Sequence, residues 1–168
     1  ASGFDGDATW PEVSISWLLG QEVVHAVLGR CASLSQLKKA HWAEVLLQTL
    51  SWPQRQAIEQ QLPASLKVPS GTTRRLRYES ESRVVLSVKM QEMYGSAAPV
   101  TVAQGRQVVT VELLSPAGRP IQTTNDLPRF WQGSYAEVRK DMKGRYPKHY
   151  WPEDPTTAMP SVKTTKNK

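Results

Sequence analysis

At Pro63 the spacing of apolar side chains changes from helical to alternating, and this restricts the chain to an α+β layout more than any other feature. Before that proline, Val23, Val24, Val27 and Leu28, and then Trp42, Val45, Leu46 and Leu50, recur at helical intervals. Pro53 follows Ser51 as an early helix residue, Ile58 and Leu62 lie one turn apart, and Pro63 closes the run. Helices this short are not stable alone, so residues 10–63 are expected to form a small helical bundle after a disordered start at 1–9.

Beyond Pro63, Leu66 and Val68 alternate, Pro69-Ser70-Gly71 is a turn signal, and Leu76 and Tyr78 alternate with Arg75 and Arg77. A hairpin with arginines on its outer face is expected. Leu86, Met90, Met93 and Tyr94 recur at helical spacing before Gly95 and predict a helix capped by Ser80 or Ser82; the alternation of Val84, Leu86 and Val88 leaves a strand open for its first half. Val109, Val111 and Leu113 read as a half-buried strand, Ser115-Pro116-Ala117-Gly118 as a turn, and Ile121 and Thr123 as part of a second strand. Asp126 is placed to cap a helix with Pro128 in its first turn. Ser134 and Glu137 have capping-box spacing, so a helix should begin at Tyr135 and stop at Gly144, ahead of Pro147. On it Tyr135, Val138 and Met142 form a packing face, and Ala136, Arg139, Lys140 and Lys143 the opposite one.

The expected fold is therefore α+β, an N-terminal small helical bundle followed by antiparallel β-hairpins packed with helices over 64–155. An OB-like small barrel stands as the alternative for 64–124. Residues 156–168, rich in Thr, Pro and Lys, read as a disordered basic tail.

Charge points to a partner. Lys and Arg number five against six acidic residues up to 69, and sixteen against nine from 70 onward, so the C-terminal part carries all of the net +6. Such asymmetry suits a polyanion bound by one part of the chain. The cations interleave with aromatics between Arg139 and Trp151, a pattern suited to phosphates and stacked bases. The competing reading is a solvated basic helix held on a small core by its aromatics.

The absence of a phosphate-binding G-x-x-x-x-G-K-[ST] loop and of a magnesium-binding acidic box means that this chain alone should not hydrolyse ATP. Other constellations are weak. Glu22 and His25 lack the second helix a metal site needs, and Ser35 with Lys38 lacks the companion motifs of a hydrolase. Glu153 and Asp154 sit in a proline-bounded loop where neighbouring carboxylates point apart. Cys31 is the sole cysteine, which precludes an internal disulfide and fits a reducing, cytoplasmic setting. No apolar run is long enough to span a membrane as a helix. The start has neither secretory-signal character nor an initiator methionine, as expected of a piece of a longer protein.

Several strings together resemble one family. Pro69-Ser70-Gly71, the block from Val88 to Gly95, Leu114 to Pro120, Phe130 to Lys140, Gly144 to His149 and Trp151-Pro152-Glu153-Asp154-Pro155 are similar to the C-terminal region of bacterial HrpB-type DExH-box helicases, well over residues 64–155 and more loosely before. The resemblance implies a full-length enzyme that couples ATP hydrolysis to RNA remodelling. Its ATP and magnesium sites would lie upstream, so no catalytic residue is carried onto this chain.

Two roles then compete. In one, Arg139, Lys140, Lys143, Arg145 and Lys148 neutralise RNA phosphates, Arg75 and Arg77 extend the path, and Tyr146 or Tyr150 stacks on a base. In the other the domain is a structural or protein-binding appendage on the helicase core. Reversing Arg139, Lys140 and Lys143 together should weaken RNA binding without unfolding the domain, and Ser134→Ala should cost about 1 kcal/mol.

Overall fold

The computed structural model describes residues 16, 19–29, 33, 35, 42–80 and 83–162. The chain divides into two compact units, Ala1–Gln60 and Gln61–Lys168. In the first, helices α1 (Gln21–Leu28) and α2 (Trp42–Thr49) pack on one another. Helix α3 (Trp52–Gln61) follows, and its start uses the expected Ser51 and Pro53: the Ser51 amide donates to Gln54 Oε1 at 2.8 Å, supplying a partner for a free donor at the helix start. The expected loose start at 1–9 and the readings on Cys31 and Lys38 lie outside the described residues.

The second unit is built on a six-stranded sheet of β1 (Ser65–Lys67), β2 (Thr73–Ser80), β3 (Arg83–Lys89), β4 (Thr101–Val102), β5 (Gln107–Leu114) and β6 (Pro120–Thr124). The order is β1-β2-β3-β5-β4, and β6 also pairs with β5. The Pro69-Ser70-Gly71 turn joins β1 to β2 as expected, with Gly71 at φ +82° donating its amide to Val68 O at 2.8 Å.

Two expectations are corrected here. The pairing is not wholly antiparallel: β3 and β5 run parallel, from Val84 opposite Val109 to Lys89 opposite Leu114. Residues 90–106 give the long connection a parallel pair requires, and the run Val84-Val85-Leu86 is buried on both faces, as central strands are. Nor does the sheet close into a barrel, since its order runs from β1 to β4 without joining ends.

The predicted helix at Leu86–Tyr94 is a strand through Lys89 and then one 3-10 turn, Met90–Glu92. Its helical spacing arose because Leu86 enters the core from the strand while Met90, Met93 and Tyr94 enter it from the turn. The β-branched Val84, Val85 and Val88 favour the extended form.

Helices α4 (Leu127–Gln132) and α5 (Tyr135–Arg145) complete the unit. Asp126 caps α4, its Oδ1 accepting from the Arg129 amide at 3.0 Å. The capping box at α5 does not form: Ser134 is already helical (φ −68°, ψ −14°) and its hydroxyl makes no capping bond. Gly144 does not stop the helix either. α5 continues to Arg145 and ends at Tyr146, whose φ of −129° and ψ of 64° lie outside the helical region that the following Pro147 disfavours. Asp126→Ala should accordingly cost about 1 kcal/mol. Ser134→Ala should stay within about 0.5 kcal/mol, and urea melts of the two variants compare them.

The core joins Val84, Leu86 and Val88 of β3 and Val109, Val111 and Leu113 of β5 to Leu127, Phe130, Trp131, Tyr135 and Met142 of the helices. The tail is also corrected. Residues 156–162 fold onto this core: Ala158 is buried in it, and the Ser161 amide donates to Gln91 O at 2.9 Å. Gly95 permits the close approach. Its φ is +79°, its amide donates to Pro155 O at 2.9 Å, and a Cβ there would lie 3.2 Å from Ala158 O. A strap held through backbone groups leaves no apolar period to read; residues 163–168 lie outside the description.

Candidate nucleic-acid interface

The aromatics between Phe130 and Trp151 turn inward. Trp131 and Tyr135 meet edge to face with ring centres 5.4 Å apart, and Tyr94 contacts Trp131, Tyr135 and Tyr150 at 6.1, 6.5 and 6.4 Å. Their polar ends hold loops: Trp131 Nε1 donates to Ser96 O (2.8 Å), Tyr135 Oη to Pro152 O (2.7 Å) and Trp151 Nε1 to Tyr146 O (2.9 Å). Burial pushes the Tyr135 hydroxyl up to about 12 and the Tyr94 hydroxyl higher still, so both stay protonated at neutral pH. The Tyr94 hydroxyl lies beside Tyr135 yet makes no hydrogen bond of ordinary geometry. Tyr150 is half-buried against Tyr94, and the half-buried Tyr146 meets His149 edge to face at 6.0 Å, so both rings are occupied in packing.

The cations divide into two kinds. Arg139 is a fastener: Nε donates to Trp151 O at 3.1 Å and a terminal nitrogen reaches Glu153 at 3.3 Å, leaving its side chain 26% exposed. Asp154, beside it, accepts from Thr156 and Thr157, and chiefly the Thr156 hydroxyl holds its carboxyl below the usual range. The Glu153-Asp154 pair thus braces the strap. Arg145 pairs with Asp141 at 2.9 Å one turn earlier on α5. Lys140, Lys143 and Lys148, by contrast, are exposed and form no ion pair among the described residues. Glu137, Asp141 and Arg145 follow one row of the helix and Lys140 and Lys143 lie on the neighbouring one, with Lys140 three residues beyond Glu137.

Arg75 and Arg77 are not continuous with α5 across the core. Leu76 between them points to the core that α4 and α5 cover, and alternation sends the two arginines to the other face. There Arg77 contacts Glu79 at 3.4 Å and Glu112 at 3.6 Å, and Glu79 also holds Arg83 at 3.1 Å. Glu112 accepts in addition from the Ser87 hydroxyl. Arg75 is exposed and forms no ion pair among the described residues.

Two polar features escaped the sequence reading. Glu92 is fully buried, taking bonds from Thr72 Oγ1 (2.6 Å) and Arg74 Nε (2.9 Å), which fastens the β1–β2 turn to the 3-10 turn. Lys89, at the end of β3, lies close enough to His149 to help depress the imidazole pKa, after the larger effect of burial. Strand alternation from Val84 to Val88 is the signal that would have placed Lys89 on the face of Arg75 and Arg77.

His25 is exposed, and the described residues hold no cluster of three or more metal-ligating side chains. No described helix is long and apolar enough to cross a membrane.

Residues 23–155 match the family model described as the ATP-dependent helicase C-terminal domain, HrpB_C. Over 134 residues the chain is 47% identical to the ATP-dependent RNA helicase HrpB of Escherichia coli (strain K12), covering 80% of this chain and 17% of that protein. A crystal structure of E. coli DExH-box NTPase HrpB superimposes with a TM-score of 0.79 at 42% identity, over 95% of this chain and 20% of the other. A crystal structure of E. coli DEAH/RHA helicase HrpB gives 0.65 at 41%, over 86% and 18%. With its sheet, its aromatic cluster and its Trp151–Pro155 segment inside that matched region, the chain belongs to the HrpB_C family of ATP-dependent helicase C-terminal domains.

Proposed function

We propose that this domain serves a longer ATP-dependent RNA helicase by gripping the RNA backbone without regard to sequence, while ATP and magnesium are handled upstream in that enzyme. The observation that carries the reading is the set of exposed lysines at 140, 143 and 148, which form no ion pair among the described residues and lie in the unit that holds the chain's basic excess. Phosphate neutralisation needs accessible cations and displaces counterions; it needs no fixed base contacts. Base stacking recedes as a contribution, because Tyr146 and Tyr150 are engaged in packing. The proposed setting is the cytoplasm, where an RNA helicase meets its substrate.

Arg139 does not belong in the test, since reversing it would release the strap. Lys140→Glu/Lys143→Glu/Lys148→Glu should weaken binding of the 168-residue chain to single-stranded RNA by at least about tenfold. It should also flatten the salt slope by about 2, with the melting temperature unchanged. A second reading, a structural appendage on the helicase core, draws on the inward use of the aromatics. Unaltered RNA affinity in the triple variant would favour it.

A further inference from the structure

The outer face of the sheet carries basic residues that the α5 reading does not use. Alternation places Ser65 and Lys67 of β1, Thr73, Arg75 and Arg77 of β2, and Arg83, the buried Val85, Ser87 and Lys89 of β3 on this face, away from the core-facing Leu66, Leu76, Leu86 and Val88. Register brings them together. Lys67 stands opposite Thr73, and Arg75 is two residues along β2 from Thr73. Continuing the β2–β3 register of Leu76 with Leu86 and Arg77 with Val85 sets Thr73 level with Lys89. Lys67, Arg75 and Lys89 thus surround Thr73 across three strands, a span of about 10 Å.

Charge on this face is unbalanced at that end. Glu79 and Glu112 are taken up by Arg77 and Arg83, whereas Lys67, Arg75 and Lys89 have no ion-pair partner among the described residues. The cluster also continues toward the loop after α5. Two residues beyond Lys89, Gln91 Oε1 lies 3.3 Å from His149 Nδ1 and Gln91 Nε2 donates to Tyr150 O at 3.4 Å, so the end of β3 is tied to the segment that bears Lys148.

The geometry points to a second limb of the RNA track, running from Lys148 past Lys89 onto the outer sheet face at Arg75 and Lys67, with a single-stranded phosphodiester backbone as its ligand. This rests on the RNA-contact reading above and adds Lys67 and Lys89 to it. An acidic protein partner fits less well: the centre of a protein interface is depleted of charge and enriched in aromatic anchors. This face offers Lys, Arg, Ser and Thr donors, with no aromatic among the residues placed on it. Hydroxyls and cations together are what phosphate oxygens take up.

The test titrates labelled single-stranded oligouridine into the 168-residue chain and into Lys67→Glu/Lys89→Glu. A control of equal charge change is Arg119→Glu/Arg129→Glu, whose exposed side chains lie on the β5–β6 turn and on α4. Circular dichroism verifies that each variant is folded; if the Lys67→Glu/Lys89→Glu variant is not, the milder Lys67→Gln/Lys89→Gln pair replaces it, with Arg119→Gln/Arg129→Gln as its control. The expected result is about a tenfold loss for the Lys67/Lys89 variant, a salt slope lower by about 1.4, and less than about a threefold loss for the control. Equal losses in the two variants, or none in the Lys67/Lys89 variant, would overturn the second limb. Capture of polyglutamate in place of RNA, lost in the same variant, would overturn it in favour of an acidic protein partner. The α5 triple variant separates the two claims: if it alone loses RNA, only the second limb fails, and if neither loses RNA, the underlying reading fails as well.

Discussion

Trp131→Ala should destabilise the domain by about 3–5 kcal/mol, the cost of removing a large aromatic from a packed core. Trp131 is 5% exposed, with its ring centre 5.0 Å from Phe130 and 5.4 Å from Tyr135. Truncation leaves a cavity at the junction of α4, α5 and the Tyr94 turn. It also strips Ser96 O of its 2.8 Å donor. Trp131→Phe keeps most of the ring and loses the donor, so it should cost less than the alanine variant. Urea unfolding followed by far-ultraviolet circular dichroism measures both; a loss below about 1 kcal/mol for the alanine variant would mean that the aromatic cluster is not the centre of the unit.

Arg74→Leu should cost about 3 kcal/mol, because it strands the Glu92 carboxylate in the interior with Thr72 as its remaining side-chain partner. Arg74 itself is 37% exposed, so the figure lies at the low end for a buried pair. Removing both charges is different. In Arg74→Leu/Glu92→Leu no carboxylate remains to be desolvated, and at least about half of the lost stability should return. A double-mutant cycle by chemical denaturation reads the coupling directly. A double variant as unstable as the sum of the singles would show that the two side chains act independently.

Local signals survived where one short-range contact decides the outcome. Asp126 capped its helix and Pro69-Ser70-Gly71 turned the chain, since each depends on residues a few positions away. Where long-range pairing decides, they failed. Leu86, Met90, Met93 and Tyr94 share a core that only the β3–β5 pairing creates, and their helical spacing followed from that core. Ser134 and Glu137 had the right separation, but the short link from α4 already sets Ser134 in a helical conformation. The candidate site divides on the same line. Lys140, Lys143 and Lys148 are exposed where helix phase and chain order place them. Arg139 shares their charge and is consumed by Trp151 O and Glu153, on a strap whose path leaves no periodic trace.

The most direct measurement is fluorescence anisotropy of the 168-residue chain with a labelled single-stranded RNA across a salt series. Phosphate gripping predicts a Kd in the micromolar range at low salt and a log–log salt slope of about −2 from Lys140, Lys143 and Lys148 alone, steepening to about −4 with Lys67, Arg75 and Lys89 engaged, one increment of about 0.7 for each phosphate neutralised. Absence of binding at low salt, or binding indifferent to salt, would contradict it.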